Sequence, residues 1–116
     1  MQIERFDSTP RRSRFTVVGN LIYLAGNTAS KRPAAIDHQT REVLAKIDTE
    51  LAQAGSDKRR ILFVQIFLAN IERDFDAMNS VWDAWTDPAA APPRACVEAK
   101  MAKPDILVEM VVTATR

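Results

Sequence analysis

Residues 91–116, APPRACVEAKMAKPDILVEMVVTATR, hold two β-rich runs around the turn cluster Lys103-Pro104-Asp105. Within otherwise apolar strands they carry one arginine, Arg94, and one glutamate, Glu109. A charge taken out of water costs several kcal/mol, about 3–5 when its partner is missing, unless it is paired or meets a ligand, so these two positions are the first candidates for chemistry. In the first strand, Ala95, Val97, Ala99 and Met101 alternate with Arg94, Cys96, Glu98 and Lys100, whereas Leu107–Thr115 is largely apolar on both faces. If the turn closed a tight hairpin, Glu109 would face residue 99, roughly 16 Å along the strand from Arg94 at about 3.3 Å per residue. Either the two strands are not hairpin partners or the two charges meet across subunits.

Outward from this stretch, the period of the apolar pattern assigns the remaining elements. A short edge strand is expected near Gln2–Arg5, followed by a basic turn, Arg11-Arg12-Ser13-Arg14. Phe15–Val18 and Leu21–Leu24 flank Gly19-Asn20, a two-residue hairpin signal. Gly26 reads as a turn residue that could also admit a close neighbour. After Pro33 the period becomes about 3.6: Ile36, Thr40, Val43, Leu44, Ile47 and Leu51 form the buried stripe, Glu42, Lys46, Glu50 and Gln53 the solvent stripe, and Gly55 the helix stop. His38, alone on this helix, is expected to be exposed. Ile61–Ala69 is apolar at nearly every position, as a strand covered on both faces would be, with Gln65 needing a partner. A second helix is expected from an Asp74 N-cap, with Phe75, Met78, Val81, Trp82 and Trp85 on its buried face and Asp87-Pro88 ending it. On pattern alone Asn79 faces solvent. Two helices cover one face of such a sheet; the other is expected to be an exposed apolar patch or, preferably, an interface between identical copies.

A chain of 116 residues makes one domain, here 1–116. A net charge of +1 supplies no field for nucleic acid or an anionic membrane. The absence of a signal segment or an apolar run of about 20 residues gives an expectation of a cytoplasmic protein without membrane association. One cysteine excludes an internal disulfide, and one His with one Cys leaves no soft-ligand set for a metal.

PPRACVEAKMAKPDILVEMVVTA resembles the C-terminal signature of the RidA (YjgF/YER057c/UK114) family, close to P-x-R-x-x-V-x-x-x-x-L-P-x-x-x-x-V-E-I-x-x-x-A. The likeness extends through Gly19–Gly26, the helix ending at Ala54-Gly55, Val64–Leu68 and the Asp74–Asn79 segment, and Trp82-Asp83-Ala84-Trp85 is similar to the small YoaB-like members. The resemblance implies an α+β, chorismate-mutase-like (bacillus type) fold, one mixed six-stranded sheet with two helices on one face, assembled as a homotrimer with intersubunit clefts. It further implies a cofactor-independent enamine/imine deaminase of the 2-iminobutanoate/2-iminopropanoate type. Such an enzyme hydrolyses 2-aminoacrylate and 2-imino acids to 2-keto acids and ammonia.

On this resemblance Arg94 binds the substrate carboxylate, as a planar two-pronged donor suits, and Glu109 holds the attacking water. Cys96 shapes the cleft, and Asn79 becomes a ligand contact. Gly26 and Ala25 border the site, Ala25 standing where the family has serine. The family tyrosine has no clear counterpart, Phe15 or Arg14 being nearest. Losing two hydroxyls weakens transition-state stabilisation more than binding. The alternative is therefore a non-catalytic trimer, a binding or regulatory protein for small 2-keto or amino acids, and a structural Arg94–Glu109 ion pair between subunits is the third reading.

Overall fold

A computed structural model describes residues 1–116. In chain order the elements are β1 (Ile3–Phe6), β2 (Phe15–Val18), β3 (Leu21–Leu24), α1 (Ile36–Gln53), β4 (Ile61–Leu68), α2 (Ile71–Trp85), β5 (Arg94–Glu98) and β6 (Val108–Thr115). Gly19 turns the first hairpin with φ 60°, and Asn20 has no positive φ, so glycine occupies the first central position, where a type II′ turn requires it. Val18 then faces Leu21, and Phe15 faces Leu24.

The six strands form one mixed sheet in the order β1-β2-β3-β6-β4-β5. Every pairing is antiparallel except β4 with β5, which run parallel, with Val64 opposite Arg94 and Leu68 opposite Glu98. A parallel pair needs a crossover, and α2 is that crossover. Thus β5 and β6 are not hairpin partners; β4 lies between them.

Both helices pack on one face, in two layers that span 21 Å in the thinnest direction. Val43, Leu44, Ile47 and Leu51 of α1 and Met78 and Trp82 of α2 close over Ile22, Leu24, Val64, Ile66, Leu68, Val108, Met110, Val112 and Ala114. The end of α1 is a Schellman motif: Gly55, at φ 80°, donates to Ala52 O at 3.1 Å, and Ser56 donates to Leu51 O at 2.8 Å.

Four sequence expectations change. Ile61–Ala69 is covered on one face only, because Phe63, Gln65 and Phe67 point to the side that carries no helix. Helix α2 starts at Ile71, not beside Asp74: Asn70 accepts from Arg73 N at 3.0 Å as the N-cap, and the Glu98 carboxylate accepts from Ile71 N at 3.1 Å. Asp74 instead lies buried against Arg73. Phe75 is exposed, one position off the packed stripe of Met78 and Trp82. Glu50 is buried, since a long-range partner draws it to the sheet. His38 is exposed, as expected.

Candidate functional site

Arg94 opens β5 at the free edge of the sheet, with its side chain on the helix-covered face beside Val64. Three groups of α2 hold it. Nη2 donates to Asn79 Oδ1 at 2.5 Å, Nη1 lies 3.9 Å from Met78 Sδ, and the guanidinium carbon stands 5.1 Å from the Trp82 ring centroid. The spacing of Met78, Asn79 and Trp82 puts all three on one side of the helix. Trp82 and Met78 were legible as core residues but not as a seat for a cation; the i, i+4 pair flanking Asn79 was the available signal. Arg94 makes no ion pair with any carboxylate of the chain. It is thus a half-buried, oriented guanidinium with donors left over for an anion.

Cys96 lies two residues on, on the same face, packed against the core. Burial pushes its thiol above the ordinary value, and the nearby Arg94 charge only partly opposes this. A thiol held protonated is a poor nucleophile, so its contribution is to shape the surroundings of Arg94.

Glu109 occupies the other face. It stands opposite Phe67 on β6, three positions along β4 from the residue that faces Arg94. The two Cα atoms are roughly 14 Å apart on sheet geometry, with β4 between them and their side chains on opposite faces. Within one chain the pair cannot hold one small molecule. Glu109 makes no ion pair or hydrogen bond inside the chain, and its carboxylate lies directly on Gly26. A Cβ at position 26 would overlap Glu109 Oε2 and come within 3.1 Å of its Cδ. Gly26 therefore serves a close approach rather than a turn conformation.

Ala25 adjoins this wall, and its N–H donates to Arg14 O at 2.9 Å. Phe15 does not belong to the site. Its ring is buried in the core and stacked on Phe6 at 4.6 Å, because the alternation that puts Leu24 inward puts Phe15 inward opposite it. Arg14 is turned toward Glu50 and Asn27, a grouping the sequence did not reveal. The outcome is two groups of candidate residues, each a half-site of the expected cleft: Arg94, Asn79 and Cys96 on one face, Glu109, Gly26 and Ala25 on the other.

The endoribonuclease L-PSP family profile matches residues 2–116. The RutC family protein YoaB of Escherichia coli is 39% identical over 114 residues, 98% of each chain. A YjgF family member from Neisseria meningitidis has a crystal structure that superposes with a TM-score of 0.96 at 41% identity, covering 100% of this chain and 96% of that one. More distant is the 3-aminoacrylate deaminase RutC of Acinetobacter baylyi, 32% identical over 101 residues, 82% of this chain and 79% of that protein. No helix is long and apolar enough to cross a membrane.

Proposed function

The chain belongs to the endoribonuclease L-PSP family, the RidA (YjgF/YER057c/UK114) family of its sequence pattern, and from this premise we propose that it hydrolyses small enamine and imine acids to 2-keto acids and ammonia. The carrying observation is that Arg94, held by Asn79 Oδ1, and Glu109, resting on Gly26, are each placed without an ion-pair partner in the chain. An enzyme named for 3-aminoacrylate deamination among the relatives supports the reaction class.

In this reading three copies pack their open sheet faces together, and the Glu109 wall of one protomer meets the Arg94 edge of the next. The guanidinium donates two hydrogen bonds to the substrate carboxylate. 2-Aminoacrylate first takes a proton from solvent at its terminal carbon to become the iminium. Glu109 orients a water and accepts its proton as the oxygen attacks the C=N carbon; it then returns that proton to the nitrogen of the amino alcohol, ammonia leaves, and the hydroxyl proton passes back to the carboxylate as the carbonyl forms. No cofactor enters this scheme. The missing serine and tyrosine hydroxyls favour the second reading, a trimer that binds 2-keto or amino acids without turnover.

The test is hydrolysis of freshly generated 2-aminoacrylate and 2-iminobutyrate by the wild type and by Arg94→Ala, with the assembly state of both measured. Turnover that falls by roughly a hundredfold in an assembled Arg94→Ala protein, a loss of about 2.7 kcal/mol of charge-assisted binding, is expected. Absence of turnover in an assembled wild type, with 2-ketobutyrate still bound, would favour the binding protein.

A further inference from the structure

Behind the Glu109 wall lies a closed ring of polar side chains. Arg14 Nε donates to Glu50 Oε2 at 2.9 Å, Arg14 Nη2 donates to Asn27 Oδ1 at 2.9 Å, and Asn27 Nδ2 donates to Glu50 Oε1 at 2.7 Å. Asn27 is 3% exposed and Glu50 9%. The ring joins β2's leading end, the segment after β3 and the last turn of α1, parts of the chain up to 36 residues apart. A buried ion pair is a weak source of net stability, since desolvation consumes much of the Coulomb gain. Its geometry, rather than its energy, is the informative feature.

Arg14 and Asn27, both held by the Glu50 carboxylate, fix the backbone that carries Gly26. Asn27 N donates to Met110 O at 2.9 Å and Met110 N donates to Asn27 O at 3.1 Å, an isolated antiparallel bridge that sets Gly26 beside Glu109. Arg14 grips the same segment twice, accepting from Ala25 N through its carbonyl and donating to Gly26 O at 3.4 Å. The Glu109 carboxylate rests on Gly26 with no room for a methyl group. Displacement of Asn27 therefore moves the surface against which Glu109 is held.

We infer that Glu50, with Arg14 and Asn27, forms a positioning group for Glu109: the ring holds the Gly26 segment at the distance that aims the carboxylate into the cleft. The inference rests on the proposed role of Glu109 in holding water. In the proposed scheme none of the three touches substrate. Misplacement of a reacting group by about 1 Å costs up to a hundredfold in rate, while the Arg94 contact that governs binding is on the other half-site.

The test is Glu50→Gln in the assembled full-length protein, isosteric but unable to form the ion pair. Three readings are taken: kcat and KM for 2-iminobutyrate, the 13C resonance of the Glu109 carboxyl, and the unfolding temperature. The expected result is kcat lower by roughly tenfold, KM within about twofold of wild type and a shifted Glu109 resonance. A lowered unfolding temperature with kcat and the Glu109 resonance at wild-type values would make the ring a mere tether and overturn the inference. Should Glu50→Gln fail to fold, Arg14→Lys takes the same three readings. If the wild type turns over no enamine or imine, the proposed reaction fails, and the Glu109 resonance alone decides the ring's role: shifted supports it, unshifted overturns it.

Discussion

The two faces of the sheet differ in how far the chain finishes them. On the helix-covered face Val64, Ile66, Leu68, Val108 and Met110 are each 0% exposed. On the other, Leu21, Tyr23, Phe63 and Val97 remain 39–46% exposed. The same strands build both faces, the open one carrying Gln65, Glu109 and Thr113 beside its apolar residues, so the difference comes from where the two helices reach and from these polar positions. A chain of this size supplies one covering layer. The open face, rimmed by Glu109, is the part of the molecule that a second copy completes in the proposed assembly.

Breaking each face by one substitution gives the largest contrast. Ile66→Ala, on the covered face, is expected to cost about 2–5 kcal/mol, lowering the unfolding temperature by roughly 10–20 °C; both proteins are heated at one concentration, because assembly also shifts the midpoint. Phe63→Asp, on the open face, is expected to leave the circular dichroism of the chain intact while reducing its sedimentation mass and removing deaminase activity. A Phe63→Asp protein with wild-type mass would place the interface elsewhere.

Gly26→Ala sharpens the comparison on the Glu109 side. The added methyl meets the end of a flexible side chain rather than backbone. Stability should therefore change by less than about 1 kcal/mol and kcat fall roughly tenfold as the carboxylate is pushed aside. A Gly26→Ala enzyme with wild-type kcat would show that the placement of Glu109 on Gly26 is unimportant.

The smallest effect tests a third region, the loop after β3. Glu42 accepts from Ser30 N at 2.5 Å and Lys31 N at 3.1 Å, and these backbone donors hold its carboxyl down to about 2. A carboxyl whose folded value lies below its unfolded one, about 4.3, adds stability above that unfolded value and loses it as the pH falls toward the folded one. Between pH 4.5 and 2 the wild type should lose unfolding temperature more steeply than Glu42→Gln, the two curves converging at the acid end. Parallel curves would show that the carboxylate does not secure this loop.

Much of the fold was legible because its signals are local. The Gly19-Asn20 hairpin, the stripe of Val43, Leu44, Ile47 and Leu51 and the Gly55 stop each depend on residues a few positions apart. The N-cap of α2 was misread because Asn70 and Asp74 are both capping types; Glu98, 27 residues on, marks the true start by accepting from Ile71 N. Arg94 and Glu109 stand out as charges among apolar neighbours, whereas only the family resemblance marks Asn79. Phe15 stands nearest the position of the family tyrosine, yet the alternation of its strand sends it to the core.

The amino-acid order by itself determined both helices, the strands and the two charges embedded in them, because periodicity and turn chemistry act over short stretches, and the α+β class followed from the family resemblance. Only the tertiary structure decided that Arg94 and Glu109 stand on opposite faces, since that follows from β4 being inserted between their strands, one pairing parallel and one antiparallel. It also decided that Glu50 turns inward, because the partners that offset its desolvation, Arg14 and Asn27, come from distant parts of the chain.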